Sequence, residues 1–83
     1  PDSVESTLET SELTAAIESF LDLQKPLNRV IFVRRYWFYD SYMQIAKRTG
    51  LSEKNVSVKL TRMREKLKDY LEERGIFLWR KTS

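Results

Sequence analysis

The segment from Ser41 to Leu71 constrains the fold more than any other part of the chain, because it carries its own helix punctuation. Ser41 followed three residues later by Gln44 is a capping box, in which each side chain serves the other residue's backbone. Gly50 stands where a helix needs a left-handed residue in order to stop. Ser52 then precedes a second apolar-periodic run. A short helix, a tight turn and a long basic helix make a helix-turn-helix, whose second helix can lie in the major groove of DNA. DNA binding, not catalysis, is therefore the leading expectation.

The rest of the chain reads as helix as well. Residues 1–9 are polar and acidic without a strong period, and read as an acidic linker remnant. A first helix is expected from about Thr10 or Ser11 to Leu23, with Leu13, Ile17, Phe20 and Leu21 on one apolar stripe. A second starts at Pro26, a favoured first helical position, and runs through Leu27, Val30, Ile31 and Val33 to about Trp37. A third spans about Tyr42 to Thr49, and a fourth about Glu53 to Arg74, where Gly75 stops it. No segment alternates with period two over strand length. The expected architecture is an all-α, four-helix domain over residues 10–75, followed by an apolar and basic tail at 76–83. Ile76, Phe77, Leu78 and Trp79 make that tail unusually apolar, which suits folding back on the core or continuing into further chain better than contact with a partner.

Composition narrows the function. The 83 residues include no Cys, which rules out a disulfide framework and thiolate metal ligands, and no His, the commonest general base. The carboxylates are scattered, no nucleophile–base pair is evident, and no Gly-rich phosphate loop occurs, so an enzyme, a cofactor, a metal or a small-molecule substrate is not expected. No apolar run approaches the roughly 18 residues of a membrane span, and no signal-peptide pattern follows Pro1, so a cytoplasmic protein is expected. The start without Met reads as a fragment of a longer protein. Charge is polarised along the chain. Residues 1–23 hold six acids and no Lys or Arg, whereas the remainder holds all 15 basic residues against six acids. That distribution suits a polyanionic partner, although solvated helix faces are also commonly charged.

At about 100° per residue, Val56, Leu60, Met63, Leu67, Tyr70 and Leu71 share one face of the fourth helix, the expected buried face. Lys54, Val58, Thr61, Arg62, Glu65 and Lys68 lie opposite, with Asn55, Ser57 and Lys59 on the flanks. The start of a recognition helix touches base edges, so Glu53, Lys54, Asn55, Ser57 and Val58 hold the reading positions. Lys54 can donate to guanine O6 and N7, Asn55 can pair with adenine, Glu53 can accept from a cytosine amine, and Val58 suits a thymine methyl. Each has a plainer alternative. Glu53 equally complements the helix dipole, Asn55 sits where it can help cap the helix, and a lone exposed Val needs no explanation. Arg62, Arg64, Lys66 and Lys68 suit phosphates, as do Lys47 and Arg48 on the preceding helix. Arg62 shares the face of Lys54 and Val58, whereas Arg64 and Lys66 also suit pairing with nearby acids.

These residues carry a resemblance. Arg35-Tyr36, then Ser41-Tyr42-Met43-Gln44-Ile45-Ala46, Gly50, Ser52, and Val56, Leu60, Arg62, Arg64 and Leu67 fall in the order and spacing of region 4 of bacterial RNA polymerase sigma factors of the sigma-70 family. The segment most resembles the extracytoplasmic-function and related small types, over about residues 12–73. The resemblance implies binding of double-stranded promoter DNA at the minus-35 element and docking on the flap of the RNA polymerase β subunit, with an anti-sigma factor as a further partner. By matched position it implies base reading by Glu53, Lys54, Asn55, Ser57, Val58 and Lys59, and phosphate or backbone contacts from Arg35, Arg62, Ser41 and Tyr42. Phe20, Leu21 and Ile31 are candidates for the flap surface, although a core role suits each of them better. Phe38-Tyr39-Asp40 departs from the usual small, Gly-containing turn, and Ser57 from a common basic residue, so base preference does not carry over.

Two other readings remain open. One is a response-regulator-type or repressor-type helix-turn-helix regulator, which usually dimerises. The other is a sigma-like protein-interaction module, suggested by the apolar first helix and Trp79.

Overall fold

The computed structural model describes residues 2–77, with side chains described from Ser11 onward. Four helices and no strand occur among these residues: α1 (Asp2–Asp22), α2 (Pro26–Tyr36), α3 (Tyr42–Thr49) and α4 (Glu53–Glu73). Leu78 and Trp79 lie outside the described residues. The helix-turn-helix boundaries agree with the sequence reading to within a residue. α1 does not, because the helix is carried back to Asp2 instead of starting near Thr10. No Gly or Pro interrupts residues 2–22, so the polar stretch has nothing to break the backbone ladder.

Local chemistry explains each boundary. Pro26 opens α2 and needs no donor partner there, which makes the absent side-chain cap at Lys25 tolerable. The Ser41 hydroxyl accepts from the Gln44 N–H at 3.1 Å, and the Gln44 side chain accepts from the Ser41 N–H at 2.8 Å, completing the box. Gly50 takes φ 77° and its N–H reaches the Ala46 carbonyl. Ser52 caps α4 by accepting from the Asn55 N–H. Past α4, Gly75 is again left-handed, and the Ile76 N–H returns to the Leu71 carbonyl, which lays Ile76 against the core.

The core is a single cluster. Ala16, Phe20 and Leu21 come from α1, Ile31 and Phe32 from α2, and Ile45 and Ala46 from α3. α4 supplies Val56, Leu60, Met63, Leu67 and Leu71, so it is the spine on which the other three helices pack. Tyr70 adds a ring contact to Phe20 at 5.4 Å between centroids. The second half of α1 lies at the far end of this spine, where Glu12, Ala15, Ala16 and Ser19 share a groove with Arg74, Gly75 and Ile76. The amino end of α4 is about 30 Å away along the helix axis.

The α2–α3 corner is built in an unusual way. Tyr39 takes φ 57°, the position a glycine would fill without strain, and its side chain is 84% exposed. Tyr39→Gly is therefore expected to stabilise the domain by about 1 kcal/mol, seen as a higher melting temperature by circular dichroism. An unchanged or lower melting point would show that the ring makes contacts worth more than the strain.

Asp40 ties the same corner together at three points. Its N–H donates to the Arg34 carbonyl, its carbonyl accepts from Arg35 Nη1 at 3.0 Å, and its carboxylate accepts from Arg34 Nε at 2.8 Å. Arg48 Nε lies 3.3 Å from the same carboxylate oxygen, linking α3 to α2. The Arg34 hydrogen bond holds the Asp40 carboxyl below its ordinary value of 3.8 against the opposing effect of burial, and the charges of Arg34 and Arg48 add to it. A lowered carboxyl stabilises the fold above its ordinary value, and the contribution disappears as pH falls through the folded value. The melting-temperature gap between the native chain and Asp40→Asn should accordingly be widest near neutrality and close as the pH drops below 3.8. A gap that stays constant in acid would show that the charge contributes nothing.

Candidate nucleic-acid interface

The fourth helix sorts its side chains as the periodicity requires. Val56, Leu60, Met63, Leu67 and Leu71 are buried, with Leu60 at 0%, and Tyr70 is half-buried. Turned away from that face, Lys54 and Arg62 are exposed and Val58 is half-buried. Spaced four residues apart, the three form one ridge along the amino half of α4. Asn55 is exposed beside it, Glu53 is exposed at the start of the helix in line with Leu60, and Ser57 and Lys59 are half-buried on the ridge's flanks. The six expected reading residues spread over about two-thirds of the circumference of α4, with Lys59 and Ser57 on opposite sides of the ridge.

The expected phosphate contacts divide into open and engaged groups. Lys47 and Arg62 are exposed, with no bonds to the rest of the chain among the described residues. Ser41 is exposed at the start of α3, and its hydroxyl serves the capping box as an acceptor while keeping its own proton to donate. Arg35 is tied to the Asp40 carbonyl and lies over the Tyr42 ring, 4.6 Å from its centroid. Arg48 is turned toward the Asp40 carboxylate, although its side chain remains 56% exposed. Asp40 itself was not foreseen as a buried hub. An acid isolated between Arg34-Arg35 and Arg48 was the available signal.

The apolar expectations need correction. Phe20, Leu21 and Ile31 are 3%, 6% and 0% exposed, so they are core side chains and offer a partner no surface. Their periodicity marks a buried stripe and cannot distinguish core from interface. The open apolar surface lies elsewhere. A cavity of about 300 Å³ is lined by Ile17, Phe32, Tyr36, Trp37, Arg64 and Leu67, among α1, α2 and α4. Trp37, Phe38 and Tyr39 extend it around the corner, each more than half exposed, with the Arg34 guanidinium stacked on Phe38.

Arg64 behaves differently from the acid-pairing residue that its neighbours suggest. Its Nη1 donates to the Tyr36 hydroxyl at 2.9 Å and its Nη2 to the Thr61 hydroxyl at 3.3 Å. The Tyr36 bond raises its pKa above the ordinary guanidinium value, outweighing desolvation, so it is a permanent cation. Lys68 does pair within the helix, with Glu72 at 3.1 Å.

A capped, solvent-facing basic ridge on the second helix of a helix-turn-helix is the arrangement that inserts into a major groove. The family profile described as "Sigma-70, region 4" matches residues 16–67, more than half of the chain. The chain belongs to the sigma-70 region 4 family. No curated protein and no solved structure matches it. The matched span of this region 4 chain runs from the core of α1 to Leu67, and so contains α2, the Asp40 corner, α3 and α4 as far as Leu67. Region 4 of sigma-70 factors is a non-catalytic, DNA-binding domain of transcription initiation, and the all-α fold agrees with it. No helix among the described residues is long and apolar enough to cross a membrane.

Proposed function

We propose that this chain reads the minus-35 element of promoter DNA with the amino half of α4 while its α1–α2 side docks on the flap of the RNA polymerase β subunit, in the cytoplasm. One observation carries the reading: Lys54 and Arg62 stand exposed, with the half-buried Val58 between them, over a buried Val56–Leu60–Met63 face. A duplex can meet that ridge without any rearrangement of the core. Glu53, Lys54, Asn55, Ser57, Val58 and Lys59 supply base contacts. Arg62, Lys47, Ser41 and Tyr42 supply phosphate contacts, and Arg35 and Arg48 add positive charge at the α2–α3 corner. The flap surface is the apolar cavity rimmed by Ile17, Tyr36 and Trp37 with the buried Phe32 at its floor, in place of the core residues Phe20, Leu21 and Ile31. An isolated domain of this size offers few contacts, so affinity in the holoenzyme is largely avidity.

Selection of bound sites from a random duplex pool, with the protein and core polymerase together, tests the proposal. Enrichment of one short upstream motif, lost when Lys54 and Arg62 are both replaced, is the expected result. Unchanged enrichment in that double variant would remove the reading head from α4. The exposed Trp37-Phe38-Tyr39 corner favours a second reading, a module that chiefly binds a protein such as an anti-sigma factor. Tight polymerase or regulator binding with no motif enriched would favour it.

A further inference from the structure

Arg64 lies outside the Lys54–Val58–Arg62 ridge, yet the structure holds it in place where it leaves Lys54 and Arg62 free to move. Its guanidinium is fixed by two neutral hydroxyls, those of Tyr36 and Thr61. Among the described residues no carboxylate pairs with it. The contrast with Arg34 and Arg48 is informative, because both of those direct Nε at the Asp40 carboxylate and have part of their charge neutralised within the chain. A hydroxyl orients a guanidinium and leaves its charge available to another anion.

The position of Arg64 says which anion. At about 100° per residue, Ser57, Thr61 and Arg64 form a row roughly a third of a turn from the ridge, on the side that faces α2 and the start of α3. A helix in a major groove about 12 Å wide turns its central ridge to the bases and its flanking rows to the sugar-phosphate walls. On this flank a second guanidinium, that of Arg35, lies over the ring of Tyr42, the first residue of α3. Two arginines thus bracket the amino end of α3 beside the reading ridge. We infer that Arg64, held in position by the Tyr36 hydroxyl, is a further contact to a DNA phosphate on the strand bordering the Ser57–Thr61–Arg64 row, with Tyr36 as its positioning residue. The inference rests on the DNA-reading function proposed above; it assigns a role to Arg64, which that reading leaves unused, and gives the cavity-lining Tyr36 a second one.

Fluorescence anisotropy of a labelled duplex carrying the selected site, and of a scrambled duplex, tests it across a salt series with the full chain. Arg64→Gln keeps most of the stem that lines the cavity and removes the charge. It should weaken both duplexes alike, by about three- to tenfold, and reduce the salt slope by about 1. Tyr36→Phe keeps the ring packed on Phe32 and leaves the charge in place, so it should weaken binding by a smaller factor without changing the slope. Added to Arg64→Gln, it should cost nothing further. An unchanged affinity and slope in Arg64→Gln overturns the phosphate contact. An equal Tyr36→Phe loss in both backgrounds overturns the positioning role. If Arg64→Gln instead weakens polymerase capture and spares DNA, the side chain belongs to the cavity and the inference fails. These results are separable from failure of the DNA reading itself. In that case the native chain binds neither duplex and Arg62→Ala has nothing to reduce, whereas a native chain that responds to Arg62→Ala and not to Arg64→Gln sinks only the present inference.

Discussion

Leu60→Ala is expected to destabilise the domain by about 3 kcal/mol, a large part of the stability available to a domain of this size. Leu60 is fully buried at the middle of α4, inside the cluster to which all four helices contribute. Truncation leaves a cavity that neighbours can fill only by moving, because the core around it is contributed by separate helices. The melting temperature should fall on the order of 15 °C by circular dichroism. Glu65→Ala, on the exposed face of the same helix, should stay within about 0.5 kcal/mol of the native chain and serves as the comparison. A Leu60→Ala variant that melts like Glu65→Ala would mean that α4 presents a different face to the core, and the exposed ridge would lose its foundation.

The second large effect concerns DNA. Lys54 and Arg62 share one ridge but stand at different depths along the recognition helix, and they should respond differently. Lys54→Ala removes a donor at the reading end and should relax sequence preference, narrowing the gap between matched and scrambled duplexes by about tenfold, the value of one good base contact. Arg62→Ala, two turns further along, should weaken all sequences alike and lower the salt slope by about 1. Titrations of both duplexes at several salt concentrations separate the two. If Lys54→Ala weakens matched and scrambled duplexes equally, Lys54 is a phosphate contact and base reading lies with Glu53, Asn55 or Val58. If neither substitution changes binding in low salt, the ridge does not meet DNA.

The parts of the fold that were legible in the sequence share a physical cause. The boundaries of α3 and α4 were set by residues acting on their own backbone: the Ser41–Gln44 box, the left-handed Gly50 and the Ser52 cap. Such local devices do not depend on the rest of the chain. The buried face of α4 was legible for a related reason, since one helix with one apolar stripe has a single way to hide it. Where several solutions exist, the sequence did not decide. Phe20, Leu21 and Ile31 suited a core better than a docking surface but did not exclude the latter, and packing makes them core. The start of α1 was missed because residues 2–9 lack an apolar period, although they also lack any residue that would stop a helix. The Tyr36–Arg64 bond joins residues 28 apart in the chain, and no local pattern announces it. Tyr39 was visible as a departure from a small turn residue. Its left-handed backbone shows that the turn takes a conformation that favours glycine and accepts the strain.

The placement of α1 has a consequence for how this chain meets a polyanion. The acid-rich helix lies against the carboxyl end of α4, and the recognition ridge occupies the amino end. A duplex approaching within a Debye length, about 10 Å in ordinary buffers, is repelled from one tip of the molecule and drawn to the other. The encounter is turned before contact, so the recognition end arrives first and fewer collisions are wasted on the wrong side. Raising the salt should erase that steering and slow association before it exhausts the affinity of the bound state.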